Sequence, residues 1–256
     1  MKKVSIITIN YNNKAGLEKT VASVVTQTFT DYEYIVVDGA STDDSQSVLE
    51  KYRESITYSV SEKDKGIYNA QNKGLAQAKG EYCLFLNSGD VLDDAQVLDK
   101  VFAKNITADI AYGNMRIDHG GGRTENGYMP DRITFKQMMA DTLWHPVSFI
   151  KRSLFLQHGN YNEHFRIAAD YDFFFKAILI KNASTQHIGE FISRFNMEGA
   201  SSDPGNRNKL LQERRNIQLQ YYHPSVIEYF EQSQKLSAAF PKTFLQKIKL
   251  LFKPSA

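Results

Sequence analysis

Apolar residues gather early in the chain into three short continuous runs, Val4–Ile9, Tyr34–Val37 and Tyr82–Leu86. Unbroken runs of this length, rather than alternating ones, fit parallel strands covered on both faces. Between the first two, Leu17, Val21, Val24 and Val25 recur at helical spacing within Ala15–Gln27. Ser41 to Glu50 opens with a capping pattern, Ser41 or Thr42 followed by Asp43 and Asp44, which predicts a second helix. A strand near Ile56–Val60 leads into a helix over Ile67–Ala78 that Gly80 is expected to close. Strands alternating with helices imply right-handed crossovers and a mostly parallel sheet flanked by helices, an α/β fold.

Past residue 100 the pattern is less regular. Asp109–Asn114 reads as a strand, and Asp118–Gly127 as a polar, glycine-rich turn. Gly120-Gly121-Gly122 lacks the strand-to-helix context of a phosphate cradle, so a hairpin or loose loop is the expectation. Ile133–Met139 predicts a short helix, and Trp144-His145-Pro146 leads into an apolar strand, Val147–Ile150. Asp170–Leu179 predicts an aromatic-rich helix.

Composition narrows the class. A chain of 256 residues, 42% hydrophobic, can bury one large core with a short appendage. The net charge of +2 gives no electrostatic case for nucleic acid. Cys83, the single cysteine, lies in an apolar run, excludes an internal disulfide and fits a buried structural thiol in a reducing compartment. No secretory pattern opens the chain, and no stretch approaches the ~20 apolar residues of a spanning helix. The expectation is a cytoplasmic protein.

The polar residues fall where such a sheet binds ligands, beyond the carboxyl ends of its strands. Thr8, Asn10 and Tyr11 follow the first run, Asp38-Gly39-Ala40-Ser41 the second, and Asn87-Ser88-Gly89-Asp90 the third. Asp38 suits hydrogen bonding to a base or ribose, with helix capping as the plain alternative. Asp90, beside a glycine that lets backbone approach closely, suits a divalent metal bridging to phosphates, with turn capping as its alternative. Asp64, Asn72 and Lys73 lie in the segment entering the third helix, whose N-terminus favours phosphate. Asp170 and Asp172 stand at the start of an aromatic helix, where desolvation is expected to raise a carboxylate pKa and suit Asp170 to general-base work, with N-capping of that helix as its plain alternative.

The stretches Val4–Asn12, Val36–Asp43, Asn72-Lys73-Gly74 through Tyr82, and Leu86–Asp90 together resemble family 2 glycosyltransferases, in the bacterial capsule and exopolysaccharide branch. The resemblance spans residues 3 to about 205. It implies a GT-A fold, a nucleotide-sugar donor, a divalent metal (Mg²⁺ or Mn²⁺) and inversion at the anomeric carbon. Residues 1–100 then form the nucleotide-sugar half, 101–205 the acceptor half, and 206–256 a helical extension. By position, Asp38 falls at the base or ribose contact, Asp90 at the last acid of the metal-binding "DxD" region, and Asp170 at the catalytic base of the "ED" motif. The sequence departs from both motifs. The first reads Asn87-Ser88-Gly89-Asp90 and the second Ala169-Asp170, so each has lost an acid. Ser88 and Gly89 join the donor site, and Trp144, His145 and Asp172 are placed on the acceptor side. The polar loop Arg194–Ser202 resembles a segment that closes over the donor, with Arg194 as its phosphate contact.

The implied acceptor is a hydroxyl of a glycan or a polyprenyl-linked saccharide. From Lys235 onward there are five lysines and no acid. Phe244, Leu245, Ile248, Leu251 and Phe252 share a helical face suited to peripheral contact with the inner face of the plasma membrane or to packing on protein. Two other readings stay open. A nucleotidyltransferase would want a glycine- and base-rich triphosphate loop, which Thr8–Ala15 lacks, and the thinned motifs leave room for a non-catalytic binding module. A dinucleotide dehydrogenase is disfavoured, because no G-x-G-x-x-G follows the first strand.

Overall fold

The structure, a computed structural model, describes residues 1–197, 199 and 202–239, the side chains of 237–239 excepted. The apolar tail face, Phe244 to Phe252, therefore lies outside the described residues, as do positions 198, 200 and 201 of the expected closing loop. The chain divides into two compact units, Met1–Glu213 and Arg214–Ala256.

In chain order the elements begin β1 (Val4–Asn10), α1 (Lys14–Val25), β2 (Tyr32–Asp38), α2 (Ser45–Lys51), β3 (Tyr58–Ser61), α3 (Ile67–Gln77) and β4 (Tyr82–Phe85). There follow β5 (Val91–Leu92), α4 (Val97–Ala103), β6 (Ile110–Asp118), β7 (Thr124–Gly127), α5 (Phe135–Ala140), β8 (Ser148–Lys151) and α6 (Arg152–His158). The last are α7 (Ala169–Phe175), β9 (Thr185–Asn196), α8 (Arg207–Tyr221) and α9 (Pro224–Ala239). Within the second unit Arg215 pairs with Glu231 at 2.6 Å.

The three apolar runs are the centre of the sheet. Its order is β3-β2-β1-β4-β8-β6-β9-β5, with β7 beside β6. The β3-β2-β1-β4 half is parallel throughout, and the other half is mixed. Every residue of β1 is buried because helices cover both its faces. Val4, Ile6, Tyr34 and Leu84 join a core with Leu17, Val21 and Val24 of α1. On the opposite face Gly74 of α3 sits so close to Ile7 that a Cβ there would come within 2.5 Å.

Several local expectations are corrected. Ser41 and Thr42 do not cap α2: the helix begins four residues later behind Asp44, at φ 65°, because the Ser41 hydroxyl is spent on Asp38. Gly80 does not close α3, which ends at Gln77. The amide of Gly80 instead donates to Ser5 Oγ and Glu33 Oε1. Gly120–Gly122 all have positive φ and turn the β6–β7 hairpin, one of the two outcomes expected. The aromatic helix is shorter than its pattern, α7 passing into a π turn over Lys176–Ile180. Arg194 lies in a strand rather than a loop, because β9 runs along β6 and on to β5.

Candidate active site

Strand register brings the polar ends together. Asn10 pairs with Asp38 across β1 and β2, and Asp38 with Ser61 across β2 and β3. Asn10 Nδ2 donates to Asp38 Oδ1 at 2.8 Å, and Ser61 Oγ donates to Oδ2 at 2.6 Å. The amide and hydroxyl of Ser41 donate to the same carboxylate at 2.9 and 2.5 Å. Burial pushes the Asp38 carboxyl up, but these donors outweigh it and leave its pKa below the ordinary value. Asn10 gives its amide to Asp38, Ser41 and Ser45, while its own Oδ1 is buried without a partner among the described residues. Thr8, deeper still, accepts from the Tyr34 hydroxyl at 3.0 Å.

Above this floor opens a cleft of about 370 Å³. Among the sequence-predicted residues, Asn10, Tyr11, Asp64, Ser88, Asp90, His145 and Asp170 line it. Tyr11 is 67% exposed at the rim. The turn carrying Ser88 and Asp90 is pinned from α1, where the Thr20 hydroxyl accepts from Gly89 N and donates to the Asp90 carbonyl. Gly89 itself has φ 104°, a conformation that a side chain would strain.

Other predicted residues are turned elsewhere. Thr8 and Asp38 lie beneath the cleft lining. Asn72 and Lys73, both on α3, clamp neighbouring chain. Asn72 bonds the Tyr161 carbonyl and Glu163, and Lys73 bonds Glu62 and the Lys63 carbonyl. Arg194 shares Asp93 with Arg116, at 2.9 and 2.8 Å, and does not line the cleft. Trp144 packs its ring against Gly127, and Asp172 is buried away from the cleft lining.

Two acids in the cleft have opposite electrostatics. Asp90 is 4% exposed, and burial raises its pKa to about 7, offset only in part by His145 and the Asn196 amide. Its Oδ1 accepts from Asn196 N at 3.1 Å, and the backbone amide of Asn87 also favours the ionised form. Asp170 goes the other way, which corrects the expected rise. Burial does push it up, but His145, the Tyr171 amide and the Tyr68 hydroxyl hold the carboxyl below its ordinary value. Its Oδ1 lies 3.0 Å from the Tyr68 hydroxyl and 2.9 Å from Tyr171 N, and its Oδ2 lies 3.4 Å from His145 Nδ1.

His145 is held from its other side. Gln71 Nε2 donates to Asn87 Oδ1, so Asn87 turns Nδ2 toward His145 Nε2 at 3.2 Å. In its neutral form the ring therefore carries its proton on Nδ1, facing Asp170. Sequence reading missed Tyr68, Gln71 and Glu213, and gave Asn87, in its polar cluster, no role of its own. Tyr68 and Gln71 stand three apart on one face of α3, a spacing that could have flagged them. Glu213 carries no local signal: from α8 it accepts the amides of Arg166, Ile167 and Ala168 and so fixes the entry to α7.

A divalent ion needs oxygen ligands. Asp90 supplies one buried carboxylate, and no group of three or more acids, histidines and cysteines stands ready among the described residues. Asp90 is the residue in the cleft that could hold such an ion.

Known proteins resemble this chain in sequence and in fold. A glycosyltransferase of Mycobacterium bovis BCG described as acting in PGL/p-HBAD biosynthesis is 29% identical over 205 residues, 78% of each chain. The crystal structure of Staphylococcus aureus TarS in complex with UDP superimposes with TM-score 0.67 at 21% identity, covering 89% of this chain and 69% of that one. The Pyrobaculum calidifontis mannosyltransferase PcManGT, in complex with GDP-Man and Mn²⁺, gives TM-score 0.59 at 15% identity, over 98% of this chain and 81% of that one. These likenesses show the fold, the expected GT-A type. The profile of "Glycosyl transferase family 2" matches residues 5–169, from β1 to the first residue of α7, and the chain belongs to that family.

Proposed function

We propose that this glycosyltransferase moves a sugar, with inversion, from a nucleoside diphosphate to a hydroxyl of a cell-surface glycan or polyprenyl-linked saccharide. The observation that carries the reading is the pairing of Asp90 and Asp170 on one cleft, the first held near neutral pKa and the second ionised. An ionised carboxylate beside the anomeric centre can take the proton of an attacking hydroxyl. The acceptor oxygen attacks the anomeric carbon as the bond to the leaving diphosphate breaks, and the proton passes to Asp170. Oδ2 is the better recipient, because Oδ1 already holds Tyr68 and Tyr171 at shorter distances. Asp90 would hold Mg²⁺ or Mn²⁺ together with the donor diphosphate, and the ion supplies charge neutralisation at the leaving group when bound.

At the base end, the unpartnered Asn10 Oδ1 supports recognition of a base N–H, with Asp38 holding the amide in place. TarS with UDP makes uridine the first nucleotide to try. No helix among the described residues is long and apolar enough to cross a membrane.

Asp170→Asn tests the reading. Transfer from a UDP-, GDP- or dTDP-sugar with Mn²⁺ should fall by about 10²–10⁴-fold, the usual contribution of a general base. Thermal stabilisation by the donor should persist. Near-normal turnover in Asp170→Asn would refute the assignment.

A further inference from the structure

Beside the cleft lies a second cavity, of about 290 Å³, that shares a wall with it: Gly66, Ile67, Tyr68 and Ile167 line both. Three cations from three separate segments converge on it. Lys65 comes from the loop before α3, Arg166 from the stretch entering α7, and Lys209 from the first turn of α8. None of the three makes a side-chain hydrogen bond or ion pair among the described residues.

The acid in the lining is Glu163. Both its oxygens are engaged by amides, Oε2 by Asn69 and Oε1 by Asn72, each at 2.9 Å. Three cations and one carboxylate leave the lining at +2. Gathering like charges into a concavity costs energy unless an anion binds there.

We propose that this cavity is an anion subsite that holds a phosphate group of the acceptor, an inference that rests on the transferase reading above. The diphosphate that links a saccharide to its lipid carries two negative charges and so matches the charge of the lining, as do two neighbouring phosphodiesters of a polyol-phosphate chain, whereas a single sugar carboxylate would leave half of it unpaired. Arg166 offers the planar fork that binds phosphate bidentately, and the lysines add point charges. The volume, at the small end of ligand pockets, has room for a phosphate and its ester. Position completes the argument. Tyr68 lines the shared wall and its hydroxyl lies 3.0 Å from Asp170 Oδ1, so an acceptor anchored here has its hydroxyl end one side chain away from the base. The phosphate can belong to a polyprenyl-diphosphate-linked saccharide or to a polyol-phosphate chain.

The test measures binding to the full-length protein by calorimetry. The probes are farnesyl-diphosphate-linked N-acetylglucosamine and a glycerol phosphate trimer, each beside a phosphate-free analogue, with a glucuronate-bearing disaccharide as the carboxylate control. One phosphate probe should bind at least tenfold more tightly than its analogue and the glucuronate, and which one binds names the source. Arg166→Gln/Lys209→Gln should weaken that binding by tenfold or more, as expected for lost hydrogen bonds to a charged group. Lys65→Gln, at an exposed position, is a milder variant expected to lose about threefold if the double variant fails to fold. Donor stabilisation and slow metal-dependent donor hydrolysis should be unchanged in all variants. Equal binding of phosphate and phosphate-free probes, equal binding of glucuronate, no binding of either phosphate probe, or unaltered affinity in the variants would overturn the subsite. Loss of donor binding or hydrolysis in the wild type would instead overturn the transferase reading.

Discussion

Replacing Asp90 by Asn should make the metal-free protein more stable, and increasingly so as pH rises. Burial lifts the Asp90 pKa from its ordinary 3.8 to about 7, so the folded state prefers the protonated acid. Between those two values the unfolded chain releases the proton while the folded protein keeps it, and folding stability falls as pH rises through that window. The shift corresponds to about 4 kcal/mol in full, of which more than half is lost between pH 5 and pH 8. Asn is nearly isosteric, has no charge to bury and keeps an oxygen for the Asn196 amide, so its stability should lack this slope. Urea denaturation of both proteins in EDTA at half-unit pH steps gives the difference curve. Asp90→Asn should gain roughly 2–3 kcal/mol on the wild type from pH 5 to 8, with most of the gain before pH 7. Saturating Mn²⁺ with UDP at about 100 times its Kd should then stabilise the wild type by about 2.7 kcal/mol and the variant by far less. A difference curve flat to within about 0.5 kcal/mol would refute the argument that burial governs this carboxyl.

Three further outcomes follow from the same geometry. Glu213→Ala leaves three backbone amides without an acceptor and should cost at least about 3 kcal/mol, lowering Tm by about 6–12 °C in calorimetry. His145→Gln removes one of the groups that hold Asp170 ionised, so kcat should drop about 10–100-fold, with its acid limb moved to higher pH and donor KM unchanged. Gly89→Ala forces a side chain into a backbone at φ 104° and should destabilise by about 1–3 kcal/mol, measured by urea melts, and weaken donor binding in a thermal-shift titration.

What could be read from the sequence was whatever depends on neighbours along the chain. The unbroken apolar runs dictated β1, β2 and β4, since a parallel strand under two helix layers has no polar face to offer. Because such strands carry their ligands at the carboxyl end, Asn10, Tyr11, Ser88 and Asp90 could be placed at the cleft without coordinates. The second half of the sheet was only partly legible. The two residues of β5 and the four of β8 are too short for periodicity, and β8 lies antiparallel between two strands distant in sequence.

Tertiary structure decided what each polar side chain does with its hydrogen bonds. His145 meets Asn87 and Asp170 across 58 and 25 residues of chain, and Glu213 reaches back 45 to 47 residues to fix the approach to α7. Asn72, Lys73 and Arg194 were reasonable ligand contacts by type, but Glu163, Glu62 and Asp93 claim them. The same contacts reversed the expected pKa direction of Asp170 while leaving Asp90, with fewer donors, to feel its burial. Sequence thus determined the donor edge of the sheet, because strand periodicity is local. Packing alone decided which acid is ionised, since that depends on donors brought from far along the chain.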